Sequence, residues 1–470
     1  MKVILANVLF FDWKKGLILP SRKKMDPIWQ LSYSPPIGLL YIGRSIEDEG
    51  HIAEIIDFNF EKDPMKILLH AIHDADAVGL NAFTSMIKDT AFVARRIKES
   101  YPNLPVIIGG PHCTLVGKKA LEDVPQADIA VIGEGEYPIK EILRSLEGRK
   151  ELSEIAGIYY RKNGSIHQGK NLVLTKDLDT IPFPSRHLID KYEYGKIFNL
   201  YMFRPRYTAV VTSRGCPFHC RFCMRDLLYQ RVFRKRSVDN VVSEFQEINE
   251  RYGSVVIADD NFLADTKRAH AIVDQLISND IDLEIVIGGA RVDAADRELF
   301  KKMKKAGVKF IFFGIESGNQ EILNYYRKEI MLDEIRNAVQ LGKEMGFFMT
   351  GSFILGAPIE TEKQIMQSID FACTLPLDFT IWRQLRYYAG SDIWHEAVRA
   401  GKISENDGYC VLADSQKGLG MYTQAELNGY CKKAYRRFYL RPRYIFQEIS
   451  KAIIHRNVTI VKVALNAALS

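Results

Sequence analysis

Three cysteines fall within eight residues in the stretch SRGCPFHCRFCMRD, at Cys216, Cys220 and Cys223. Thiolates crowded in this way suit a metal. A structural zinc normally takes four protein ligands from two paired knuckles, so this set is one short. On a [4Fe-4S] cluster the same three thiolates would leave one iron open to a substrate or cofactor. The competing reading is a zinc fragment completed by His219 or a distant cysteine, in a metal-stabilised RNA- or protein-binding module.

The chain carries seven cysteines in 470 residues, an odd set that fits a reducing, cytoplasmic setting, where clustered cysteines bind metal more often than they pair. The start MKVILANVLFF runs into Asp12 and reads as a first buried strand rather than an export signal. No uncharged apolar run reaches 18 residues, so no transmembrane helix is expected. The C-terminal AIIHRNVTIVKVALNAALS is broken by His455, Arg456 and Lys462 and reads as an amphipathic, surface-lying helix open to peripheral membrane contact. A net charge of +6 is mild for this length and does not call for nucleic acid.

The cysteines must be positioned by what surrounds them. From residue 1 to 148, β-branched runs (KVILANV, AEIIDF, DAVGLNAF, PVIIGG, DIAVIGEGE) alternate with helical patterns at 37–50, 87–101 and 137–148. That rhythm predicts a doubly wound α/β domain with a ligand pocket beyond the carboxyl ends of its strands. Residues 149–200 read as a connector marked by Pro182 and Pro184. From 201 to 389, six strand-like runs alternate with helical patterns, which predicts a partial (βα) barrel of the TIM type. The cysteines follow its first strand, where barrel chemistry sits. Residues 390–470 read as a small helical C-terminal domain rich in tyrosine and arginine.

The cluster CPFHCRFC does not stand alone. ADDNF (258–262), GAR (289–291), GIESG (314–318) and GSFILGAP (351–358) close the next four strands in order, and GGPH (109–112) and GEGE (133–136) mark loops of the first domain. In these motifs the chain resembles the cobalamin-binding class of radical S-adenosylmethionine (SAM) enzymes, which includes B12-dependent methyltransferases and the anaerobic porphyrin ring cyclase. The resemblance implies a [4Fe-4S] cluster on Cys216, Cys220 and Cys223, with Phe222 packed beside it. It implies that Asp259, Asp260 and Asn261 contact the amino group of SAM, that Arg291 meets its carboxylate, that Glu316 and Ser317 contact the ribose, and that Ile354 and Gly356 lie near the adenine.

For cobalamin, the resemblance implies contacts from Thr84, Ser85, Gly110, Gly133, Glu134 and Gly135. His112 either faces the cofactor or stabilises its turn. The D-x-H-x-x-G motif of many cobalamin domains is replaced by FDWKKG, with Asp12 and Gly16 but no histidine. The implied reaction is methylation of an unactivated carbon in a small-molecule or lipid-like substrate, fed by an electron donor such as flavodoxin or ferredoxin. Ring closure or carbon–carbon coupling is the alternative.

Two further features bear on partners. Nine cationic side chains and one acid lie between Arg204 and Arg236, either a positive collar for an anionic ligand or a solvated loop. The segment YRRFYLRPRYI interleaves aromatics and arginines; it either stacks on RNA bases or, as expected here, packs against the barrel mouth. In YYAGSDIW (387–394), Ser391 stands in a turn that reads Pro-Gly-Thr in relatives, which leaves its role open.

Overall fold

The structure, a computed structural model, describes residues 1–8, 11–12, 17–18, 34–197, 200–224, 228–404 and 407–447. The FDWKKG loop from Trp13 to Gly16, Arg225 and Asp226 in the cationic stretch, and the C-terminal amphipathic segment lie outside the described residues. Contacts divide the chain into two compact units; the first includes residues 1–8 and 36–192, and the second residues 193–197, 200–224 and 231–447 among those described.

The first unit is a sheet of seven strands: β1 (Lys2–Asn7), β2 (Ile52–Asp57), β3 (Ala77–Asn81), β4 (Val106–Gly109), β5 (Ile129–Val131), β6 (Ile158–Lys162) and β7 (Ser165–Gln168). Their order is β2-β1-β3-β4-β5-β6-β7. The first five are parallel, and their sequences are near-continuous aliphatic runs because helices cover both faces. Ile4, Ile56, Val78 and Ile108 are fully buried, each contributing about 1.5–3 kcal/mol of apolar burial. β6 and β7 come from the expected connector and extend the sheet in antiparallel fashion. The reversal of strand order falls between β1 and β3, where a doubly wound sheet opens a crevice for ligand.

The second unit is a single six-stranded parallel sheet in chain order: β8 (Tyr207–Val210), β9 (Ser254–Ile257), β10 (Glu284–Ala290), β11 (Val308–Glu316), β12 (Phe348–Leu355) and β13 (Phe379–Gln384). β8 and β13 do not pair, so this is a partial barrel, as the sequence predicts. The crossover helices are α1 (Val238–Arg251), α2 (Thr266–Ser278), α3 (Arg297–Lys305), α4 (Leu332–Glu344) and α5 (Glu362–Thr374). Side-chain caps fix where several begin: Ser237, Asp265, Asp296 and Thr361 each accept from a backbone N–H of the first turn. Such a cap stabilises by about 1 kcal/mol.

The helical C-terminal region closes the sheet's last edge. Helix α6 (Gln424–Tyr439) buries Leu427, Cys431, Ala434, Tyr435, Phe438 and Tyr439. Its tyrosines bond the backbone of β13: Thr380 N–H donates to Tyr439 Oη at 3.0 Å and Trp382 N–H to Tyr435 Oη at 3.1 Å, while Tyr444 Oη donates to the Asp378 carbonyl at 2.6 Å. An edge strand's free N–H groups are thus satisfied by side chains. The aromatics of YRRFYLRPRYI are buried by this task, on the edge strand rather than at the barrel mouth, and offer no base-stacking platform. Among the described residues no helix is long and apolar enough to cross a membrane.

Replacing both tyrosines by phenylalanine (Tyr435→Phe with Tyr439→Phe) strands two buried N–H groups. Urea unfolding should show a loss of about 2–4 kcal/mol; a loss below about 0.5 kcal/mol would mean that water or another group serves that edge.

Candidate functional site

The chain leaves β8 through Val211, Thr212 and Ser213, and the cysteine loop follows. That exit is anchored by the buried carboxylate of Asp259, at the end of β9. Thr212 donates its N–H to Asp259 Oδ1 and its hydroxyl to Oδ2, and Ser213 donates its hydroxyl to Oδ2, each at 2.6 Å. Burial pushes the Asp259 carboxyl up, while these three donors and Arg268 pull it down. Arg268 also donates to the Thr212 carbonyl at 2.8 Å and the Arg236 carbonyl at 2.9 Å. Arg236 in turn donates to the Val211 carbonyl at 2.9 Å and pairs with buried Glu244. Both oxygens of Asp259 are therefore engaged with the loop exit, whereas Asp260 and Asn261 follow it into the strand-end loop.

The cationic stretch is largely matched by acids from distant sequence. Arg204 pairs with Asp282 at 3.0 Å, Lys235 with Asp265 at 2.7 Å and Arg231 with Asp392 at 3.5 Å; Arg221 and Arg236 pair with Glu396 and Glu244. A positive collar is therefore not the dominant character of this region. Arg291, outside that stretch at the end of β10, is only partly satisfied. Its guanidinium lies 3.6 Å over the ring of Phe218 in the cysteine loop and bonds Asp293, yet its buried Nη1 has no hydrogen-bond partner among the described residues.

At the end of β11 the backbone is bent out of the ordinary strand. Glu316 has φ of +70°, and the β11–β12 register shifts between Gly314 and Glu316. Such bulges re-aim a side chain, and a non-glycine residue held there costs roughly 1–3 kcal/mol. The buried carboxylate is turned toward Lys328, which donates to Oε1 at 3.0 Å; Ser352 donates to Oε2 at 3.3 Å. Gly314 leaves room for this pair, because a Cβ would stand 2.6 Å from Glu316 Oε1 and 3.0 Å from Lys328 Nζ. Burial disfavours the Lys328 charge, but Glu316 and Cys220 outweigh it and hold its pKa above the ordinary value.

The same charges surround Cys220. Burial pushes its thiol up to about 11, Cys223 and Glu316 add to the rise, and Lys328 and Arg291 oppose it. The loop is seated on Tyr326: Arg221 N–H donates to the Tyr326 carbonyl at 3.0 Å, and Phe222 meets the Tyr326 ring edge-on at 5.1 Å. Cys223 N–H closes a turn to the Cys220 carbonyl at 3.0 Å.

Other predicted positions have structural duties. Ser317 is buried, with its hydroxyl 3.0 Å from that of Ser368 and accepting from Asn319 N–H at 3.1 Å, so it builds the turn after β11. Gly356 has φ of +100° and donates its N–H to Glu360 at 2.6 Å; Ile354 is half-buried two residues before it. Ser391 caps the helix Asp392–Arg399, which answers the question left by its sequence. In the first unit, His112 is buried with Nε2 3.0 Å from Asp123 and Nδ1 3.4 Å from Thr84 Oγ1, the turn-stabilising arrangement. Ser85 is exposed. Gly110 has φ of +127°, and a Cβ there would lie 2.9 Å from the Ala82 carbonyl oxygen; Gly133, at φ of +74°, donates its N–H to the Thr114 hydroxyl at 2.8 Å. Glu134 accepts from Thr175 N–H at 3.0 Å, and Gly135 caps the helix Glu136–Leu146.

Sequence reasoning missed Lys328, Tyr326 and Glu360. The first two sit in an ordinary-looking YYRKE run, and only burial distinguishes them. Glu360 lies two residues beyond the quoted GSFILGAP and could have been found by reading that motif further.

The donor set suits a cluster with a chelating amino acid. It offers three thiols, the orphaned Arg291 Nη1 for a carboxylate and the buried Asn261 Oδ1, also without a partner, for an amino group. Among the described residues no three His, Cys, Asp or Glu side chains converge on one metal ion. Cobalamin is matched less specifically, by glycine backbones at the strand ends of the first unit.

Two family models match the chain. The Radical SAM superfamily model matches residues 210–372 and the B12 binding domain model residues 31–143. An uncharacterized methyltransferase of Pyrococcus horikoshii is 32% identical over 88% of this chain and 90% of its own. The chain belongs to the cobalamin-binding radical SAM family. It is a radical SAM enzyme, and the family brings with it a [4Fe-4S] cluster, SAM and cobalamin. The anaerobic magnesium-protoporphyrin IX monomethyl ester cyclase of Cereibacter sphaeroides is 25% identical over 78% of this chain and 60% of its own. In fold the enzyme is similar to the cobalamin-dependent SAM radical enzyme OxsB, with a TM-score of 0.71 at 17% identity, covering 98% of this chain and 72% of that one.

Glu360 supplies a pH test of this geometry. Its Oε2 takes the N–H groups of Gly356 and Ala357, its buried Oε1 has no partner among the described residues, and burial pushes the carboxyl up to about 7. The native state therefore keeps a proton that the unfolded chain releases near its ordinary value of about 4.3. Stability from this group is fully present below that value and is lost as pH rises through about 7. Glu360→Gln should become more stable relative to the wild type across that window, by up to about 3 kcal/mol in urea unfolding. Parallel pH curves for the two proteins would contradict this placement of the carboxyl.

Proposed function

We propose that this enzyme methylates an unactivated carbon, and that Cys216, Cys220 and Cys223 hold its cluster. The observation carrying this reading is a three-thiol loop fastened to the sheet by Asp259 and seated beside Lys328, Glu316 and Arg291. When bound, SAM at the cluster supplies a 5'-deoxyadenosyl radical and cobalamin supplies a transferable methyl group.

The chain's own contribution is placement. Asp259 sets the loop exit, and Phe222 on Tyr326 sets the loop's depth. Arg291 Nη1, desolvated and unpaired, takes the carboxylate of SAM, a charge-assisted bond of the stronger kind. Asn261 and Asp260 take its amino group. Glu316, aimed by its bulge and held by Lys328, takes a ribose hydroxyl, while Ile354 and Gly356 flank the adenine. Buried Phe353, Phe313 and Tyr326 line the sheet with apolar surface and exclude water from it. In the first unit Gly110, Gly133, Glu134, Gly135, Thr84 and Ser85 line the corrin side, with His112 supporting the turn rather than ligating cobalt. A reduced cytoplasm and a small electron donor of the flavodoxin or ferredoxin kind complete the setting. The substrate is a small or lipid-like molecule.

Ring closure without methyl transfer is a second reading, favoured by the cyclase relative. Product mass separates them, because only methylation adds a CH2 unit. In anaerobic assays Cys220→Ala should abolish 5'-deoxyadenosine formation, at least a thousandfold below wild type, since the cluster would lose one of its three protein ligands. Wild-type turnover by that variant would remove the cluster assignment.

A further inference from the structure

Helix α6 has a second face. While its tyrosines and Leu427 pack on the sheet, Lys432, Lys433, Arg436 and Arg437 line an open depression with Gly429 on the outer side. Arg437 is matched by Asp370 at 2.5 Å. Lys432, Lys433, Arg436 and the nearby exposed Arg443 have no acid within ion-pair distance among the described residues. Directly after the helix, three large apolar side chains are exposed: Leu440 at 55%, Ile445 at 43% and Phe446 at 76%.

Cations grouped beside protruding leucine, isoleucine and phenylalanine are the combination that binds the boundary of an anionic bilayer. The cations meet phosphate headgroups and the apolar side chains enter the acyl margin. A nucleic-acid partner fits poorly, because Tyr435, Phe438 and Tyr439, the aromatic rings interleaved with these cations, are buried. We propose that the outer face of α6, with Leu440, Ile445 and Phe446, docks the enzyme on anionic phospholipid membranes. This goes beyond the methylation reading and does not depend on it.

The test uses the full chain, sedimented with vesicles of phosphatidylcholine alone or of phosphatidylcholine and phosphatidylglycerol in a three-to-one ratio. The enzyme should bind the anionic vesicles, leave the neutral ones unbound, and release as salt is raised, since exposed charges are screened. Combining Lys432→Gln, Lys433→Gln, Arg436→Gln and Arg443→Gln should weaken binding roughly fivefold per charge, several hundredfold in all. These side chains are exposed and away from the site, so 5'-deoxyadenosine formation serves as the folding control. Leu440→Ser with Phe446→Ser should weaken binding without changing its salt dependence. Failure to bind anionic vesicles, or equal binding by the four-charge variant, would overturn the proposal. So would a four-charge variant impaired only in accepting electrons from an acidic flavodoxin, which would assign the face to a protein partner.

Discussion

The rest of the catalytic unit depends on one buried carboxylate. Asp259 sits at the end of β9 and takes three short bonds from Thr212 and Ser213, which lie on the neighbouring strand's exit. A carboxylate is costly to bury and stays charged only if its donors are fixed. Here the donors are the residues that open the cysteine loop, so satisfying Asp259 and orienting that loop are the same event. Arg268 and Arg236 extend the constraint by holding the carbonyls of Val211, Thr212 and Arg236.

A second constraint faces the first across the strand ends. Glu316 is driven into a left-handed backbone conformation, and Gly314 clears the space its carboxylate shares with Lys328. Local strain and a buried ion pair are both expensive, and together they bring an acid, a base and Arg291 around Cys220. The arrangement gives electrostatic shape to a site whose difficult chemistry belongs to its cofactors.

Much of this was legible in the sequence. Parallel strands buried on both faces read as aliphatic runs, so all six barrel strands and the five parallel strands of the first unit were recoverable, and CPFHCRFC announced the metal chemistry. What was not legible was which way side chains face. Asp259 and Ser317 fall in motifs that suggest ligand contact, yet the structure engages them in holding loops. The cationic collar dissolved because Asp265, Asp282, Asp392 and Glu396 lie far along the chain. Lys328 gave no signal at all, since a lysine in a Tyr-Arg-Lys-Glu run is indistinguishable from a surface residue until its burial is known.

The most direct test is to reconstitute the full chain anaerobically with iron, sulfide and hydroxocobalamin and to count metals per chain. Three thiolates on an open cluster and a cobalamin domain predict about four irons and one cobalt. One tightly bound zinc with no iron and no cobalt would contradict both the cluster and the class of chemistry built on it.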